Sequence, residues 1–196
     1  MLLERKTMQG IISAVRRNSL AENAGIKAGE KLCAVNGVSV HDIIELSYLV
    51  ADEQIVLTIE DSECRQRQIV IEKYTDDELG LEFEAAVFDG VTTCYNNCVF
   101  CFVDQMIPGM RESLYVRDDD YRLSFLYGNF ITLTNMKEED FEQIIKTHMS
   151  PLYISVHATR PEVRCQMMNN RFAGELMSKI NRLVEAGISI HTQIVC

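Results

Sequence analysis

The sequence lacks a secretory apolar core in Met1-Leu2-Leu3-Glu4-Arg5-Lys6-Thr7, and it has no apolar run near the roughly 18 residues a spanning helix needs. It also lacks a positive balance of charge. A net charge of −10 offers no long-range attraction for nucleic acid or an anionic membrane, so neither partner is expected. An even set of cysteines is missing too: seven in a leaderless chain argue against a disulfide framework and for a reducing cytoplasm. What is present is ordinary globular material, 196 residues at 47% hydrophobic and 24% charged, enough for two small domains.

Between Gly10 and about Lys73 the pattern changes every few residues. Ile11 to Val15, Lys31 to Val35 and Ile55 to Ile59 read as short strands. Ser19-Leu20-Ala21-Glu22 has the form of a capping box opening a short helix that Gly25 stops, and Asn36-Gly37 is a tight-turn dipeptide. A second helix is expected over Asp42 to Val50, with Ile43, Ile44, Leu46 and Leu49 on one face. This order of elements, and the string from Asn18 to Gly37, resemble the PDZ family over most of residues 1–75. Its members cradle a peptide carboxylate in a Gly-Leu-Gly-Phe-like loop and take the peptide as an added strand. No such loop precedes Gly10, while Leu79-Gly80-Leu81-Glu82-Phe83 comes afterwards. Residues 76–84 are therefore expected as a linker or as a permuted strand that supplies or fills the sheet edge. A peptide or protein partner and a structural cap that binds none are the two alternatives for this domain.

The charged stretch Lys73 to Glu78 reads as a linker, and residues 85–196 read as βα units. Strands are expected at Ala85 to Phe88, Phe130 to Thr134, Leu152 to His157 and Ile188 to Val195. Asn135 with Glu138 forms a second capping-box pair, and Gly174 to Ala186 is helical. Such alternation indicates parallel pairing with right-handed crossovers. Ile131 and Leu133, then Leu152, Ile154 and Val156, then Ile188, Ile190 and Ile194 each mark an apolar face. Opposite them stand Thr132 and Thr134, then Tyr153, Ser155 and His157, then His191 and Gln193. A parallel sheet covered on both sides is apolar throughout, so the pattern predicts a barrel with a polar chamber; an open sheet with a few satisfied polar groups is the alternative.

Cys94, Cys98 and Cys101 are grouped within eight residues, with Asn96-Asn97 suited to a tight wrap. A cubane cluster needs one ligand per iron, so three cysteines leave one iron open. A structural zinc site completed by Cys165, His148 or His157 is the alternative. The string Cys94-Tyr95-Asn96-Asn97-Cys98-Val99-Phe100-Cys101, after a strand and before βα units, resembles the signature of the radical S-adenosylmethionine superfamily. The resemblance implies an α+β PDZ-like domain followed by part of an α/β (β/α)6 barrel. It implies a [4Fe-4S] cluster on Cys94, Cys98 and Cys101, with Phe100 in the cofactor motif. It further implies S-adenosylmethionine at the open iron, reductive cleavage to a 5′-deoxyadenosyl radical, and a reductant such as flavodoxin or ferredoxin. Thr134 and Asn135 stand where the superfamily often has a Gly-Gly-Glu-like motif for the cofactor's amino group, although Asn135 also reads as a helix cap. Ser155, His157, His191 and Gln193 are the further cofactor or substrate candidates. Together with Ser155-Val156-His157-Ala158-Thr159, the whole resembles a family of iron–sulfur oxidoreductases with a PDZ-like domain and a C-terminal domain of unknown function. That family is longer, so the resemblance implies a truncated chain that stops at Cys196 after four of six barrel strands. An electron-transfer iron–sulfur protein and an interaction module with a structural metal loop are the rival functions. Asp118-Asp119-Asp120 reads as solvated surface, the methionines as packing, and Arg111, Arg117, Arg122, Arg160, Arg164 and Arg171 as connecting-segment cations open to an anionic substrate.

Overall fold

The computed structural model describes residues 10 to 195 and divides the chain into two compact units, Met1–Gly90 and Val91–Cys196. The leader reading of Met1 to Thr7 and the distant thiol of Cys196 lie outside the described residues.

The first unit is an antiparallel sheet built from β1 (Gly10–Val15), β2 (Lys31–Val35), β3 (Val38–Ser39), β4 (Gln54–Glu60), β5 (Gln66–Glu72) and β6 (Leu81–Phe83). Its order is β5-β4-β2-β1-β6, with β3 paired to β2. Alternation along β4 drives the packing: Ile55, Leu57 and Ile59 are fully buried and meet Ile12, Leu32 and Val35 in one core. Helix α1 (Leu20–Asn23) opens as expected, the Ser19 hydroxyl accepting the Glu22 N–H and the Glu22 carboxylate accepting the Asn18 N–H. Asn36 and Gly37 both have positive φ, the condition for the tight turn from β2 to β3. Asp42 caps helix α2 (Ile43–Leu49), which buries Ile44 and Leu46.

The edge beside β1 is taken by β6, with Ile12 opposite Phe83 and Val15 opposite Leu81. Gly80 makes this approach possible. Its φ is +78°, and a Cβ there would lie 2.3 Å from the Ser19 Cβ. Lys73, at the head of the stretch expected as a linker, is buried and donates to the Tyr74 and Thr75 carbonyls. Ala85 to Phe88 does not form the expected barrel strand. Val87 makes a single bridge to Asp42, and the Phe88 ring is buried in the first unit's core instead of extending a second-unit sheet.

The second unit contains α3 (Tyr121–Tyr127), α4 (Glu138–Thr147), β7 (Leu152–Ser155), α5 (Pro161–Met168), α6 (Leu176–Glu185) and β8 (Ile190–Gln193). β7 and β8 pair in parallel, Leu152 opposite Ile190 and Ser155 opposite Gln193. Among the described residues no barrel is closed. Phe130 to Thr134 is not a full strand: Ile131 bridges Ile154 in parallel, then Leu133 turns to φ +60° and ends the pairing. β7 stops at Ser155 because His157 also takes a positive φ, and the expected fourth strand shortens to Ile190–Gln193, leaving Ile194 exposed. Asn135 is not the cap of α4; that position falls to Lys137, whose N–H donates to the Asp140 carboxylate. Two helices were not expected from the sequence, although α3 has Asp120 at its start and left-handed Gly128 at its stop, and α5 has Pro161 at its first turn and left-handed Asn169 at its end.

Candidate functional site

The segment leading into the cysteine loop is fixed against residues 117–120. Thr93 bridges Asp118, the Cys94 N–H donates to the Arg117 carbonyl at 2.7 Å, and the Asp119 N–H donates to the Thr92 carbonyl at 2.8 Å. The loop's far side is fixed by α5. A helix ends with carbonyls that have no intrahelical partner. Here the Asn97 and Val99 N–H groups donate to those of Met168 and Met167 at 3.1 and 3.0 Å, and the Cys101 N–H closes a turn onto the Cys98 carbonyl. Neither Asn96 nor Asn97 adopts a positive φ, so the wrap does not use the backbone freedom expected of them.

Cys94, Cys98 and Cys101 are free thiols, each half-buried. Burial pushes the Cys98 thiol up to about 11, the neighbouring Cys94 and Cys101 sulfurs push the same way, and the Arg164 guanidinium opposes them. Burial also raises the Cys94 thiol, followed by the Asp119 carboxylate, while the Asn96 N–H groups pull it back. The three sulfurs therefore share one electrostatic neighbourhood. Among the described residues no three His, Cys, Asp or Glu side chains form a group that could hold a metal ion. By chemistry alone, three soft sulfurs on one pinned loop are the donor type that an iron–sulfur cluster takes. The Cys165 Sγ instead points to the Arg171 carbonyl at 3.4 Å.

Behind Cys94 lies a buried polar network that the sequence reading did not single out. Asn96 is only 2% exposed. Its Nδ2 donates to the Cys94 Sγ at 3.2 Å and reaches the Thr132 and Thr134 hydroxyls at 3.1 and 2.9 Å. Asn170 Nδ2 donates to Asn96 Oδ1 at 2.7 Å, and the Arg117 guanidinium donates to the Asn96 carbonyl. The Asp119 carboxylate accepts both the N–H and the hydroxyl of Thr132. Asp119 and Asp120 are thus buried parts of the scaffold rather than solvated surface, Asp120 accepting from Arg122 and from the Thr92 N–H. Burial raises the Asp119 carboxyl above the usual carboxylate range, with the Thr132 bonds opposing. Asn135 Nδ2 donates to the Thr93 carbonyl at 2.8 Å, so it holds the same loop.

Arg164, expected as an exposed connecting-segment cation, is fully buried. Its guanidinium donates to the carbonyls of Thr132, Ser155, Val156 and Ala173, tying α5 to β7 and to the segment after Ile131. The other candidates form pairs. Phe100 lies 4.5 Å from the His157 ring, and His157 Nδ1 accepts the Val195 N–H. Gln193 Nε2 donates to the Ser155 hydroxyl at 2.9 Å, while Tyr153 stacks on His191 at 4.8 Å. Thr134 and Asn135 thus join the cysteine loop directly, Phe100 joins it to His157, and Ser155, His191 and Gln193 are grouped on β7 and β8.

In comparison with known families, residues 73–196 match the radical SAM-like domain and residues 11–61 match the PDZ domain. None of the curated proteins matches the chain.

Proposed function

Because this chain belongs to the radical SAM-like domain family, we propose that it reductively cleaves S-adenosylmethionine to a 5′-deoxyadenosyl radical that abstracts hydrogen from its substrate. Cys94, Cys98 and Cys101 hold a [4Fe-4S] cluster in this reading, which supplies the electron for breaking the sulfonium C–S bond once a donor such as flavodoxin or ferredoxin has reduced it. The observation that carries the proposal is the cysteine loop itself: three free, half-buried thiols on a backbone pinned by Arg117 on one side and by the end of α5 on the other.

The chain's own residues position the reactants and exclude water. Thr134 and Asn135 have side chains bonded to Asn96 and to the Thr93 carbonyl, which supports a role in holding the loop beside any contact with the cofactor's amino group. The Phe100 ring of the loop lies against the His157 ring, 4.5 Å between centroids. Ser155, which is buried, exposed His191 and half-buried Gln193 are grouped on β7 and β8 and are the candidates for ribose or substrate contact.

Product analysis tests the proposal. Anaerobically reconstituted, dithionite-reduced protein is expected to convert S-adenosylmethionine to methionine and 5′-deoxyadenosine, and Cys98→Ala is expected to form neither. Turnover that survives Cys98→Ala would exclude this loop as the site.

A further inference from the structure

The side-chain amide of Asn96 has a defined orientation. Its oxygen and nitrogen ends are told apart by a chain of bonds that starts at a group able only to donate. The Phe172 backbone N–H donates to Asn170 Oδ1 at 2.9 Å, so the other end of the Asn170 amide must be nitrogen. That nitrogen donates to Asn96 at 2.7 Å, so the atom it meets must be Oδ1. The remaining end of Asn96 is then Nδ2, and it faces the Cys94 sulfur at 3.2 Å and the paired hydroxyls of Thr132 and Thr134. The two threonine oxygens lie 2.8 Å apart, close enough to share one amide hydrogen and leave the other for the sulfur. The Thr132 hydroxyl donates to Asp119, so towards Asn96 and Thr134 its oxygen is an acceptor. With Asn96 only 2% exposed, water does not compete for these bonds.

The geometry points to Asn96 as a positioning residue that sets the reduction potential at Cys94. The inference rests on the reading of Cys94 as a cluster ligand. A donor on a ligating sulfur withdraws charge, and it stabilises the reduced form, which carries one more negative charge, more than the oxidised form. Asn170 acts one step behind, by holding the amide with nitrogen rather than oxygen towards the sulfur. An Asn96 turned the other way would set its oxygen lone pairs against the thiolate and move the potential in the opposite sense.

The test is EPR-monitored redox potentiometry of the reconstituted 196-residue protein and of Asn96→Ala and Asn170→Ala, with iron and sulfide content measured on each. In both variants the ratio of reduced to oxidised cluster at a fixed potential is expected to fall about threefold or more, a shift of about 30 mV to the negative for one electron. Asn170→Ala leaves the loop sequence intact, so it decides the matter if Asn96→Ala loads poorly. Fully loaded variants with the wild-type potential overturn the inference while leaving the proposed function standing. Failure of both variants to load shows a purely structural role and overturns it as well. A wild-type protein that takes up no cluster removes the reading on which it rests.

Discussion

His157 loses hydration in the fold and stands near the Arg164 guanidinium, and both lower its pKa from the ordinary value of 6.5, burial more strongly. The unfolded chain therefore takes up the proton first as the pH drops. The stability His157 contributes is present above 6.5 and is lost as the pH falls towards the lower folded value. NMR of the imidazole is expected to show protonation below the ordinary histidine range, and His157→Phe to flatten the pH dependence of the unfolding midpoint between about pH 7 and 5. Protonation above the ordinary range would contradict this. Single residues were unevenly legible in the sequence. The cysteines announce themselves by spacing. Asn96 and Asp119 do not, because burial and partners 36 and 13 residues away turn a polar side chain from surface into scaffold. The Asp118-Asp119-Asp120 run shows the same limit: composition suggests water, whereas a buried N–H and hydroxyl of Thr132 and the buried Arg122 supply partners that composition cannot show.

At the scale of elements, α5 is the piece on which the site depends. It offers its terminal carbonyls to the loop and carries Arg164 in its second turn, whose guanidinium satisfies four carbonyls from other segments. Arg164→Leu leaves those carbonyls buried without a donor and is expected to cost on the order of 3–5 kcal/mol. Urea unfolding followed by circular dichroism measures this, and a loss under about 1 kcal/mol would contradict the account. Arg164→Lys should recover little, since one ammonium cannot reach four acceptors in a fork. Elements with strong periodicity or paired caps were legible: β2 has the expected limits, and α1, α2 and α6 lie where the pattern placed them. The segment from Phe130 to Thr134 was not, because its apolar alternation serves burial of Ile131 and Leu133 without a neighbour along its whole length. α5 was missed because Arg164 stands on its buried side, which breaks the apolar stripe that marks a helix.

At the scale of the whole molecule the chain divides into two compact units. The first has its own core, from Ile12 to Phe88, and its sheet edge is supplied by Leu81–Phe83 of the same unit. The second gathers the three thiols, the Asn96 network and the Arg164 tie around one parallel strand pair. No helix among the described residues is long and apolar enough to cross a membrane. In the proposed function this second unit presents three thiolates to a cluster with one iron open to S-adenosylmethionine. Electron paramagnetic resonance of the anaerobically reconstituted, dithionite-reduced protein, with and without S-adenosylmethionine, tests it most directly. A [4Fe-4S] signal that changes when the cofactor is added and is absent from Cys94→Ala is the expected result. A protein that acquires no cluster, or a cluster whose signal is indifferent to S-adenosylmethionine, would contradict it.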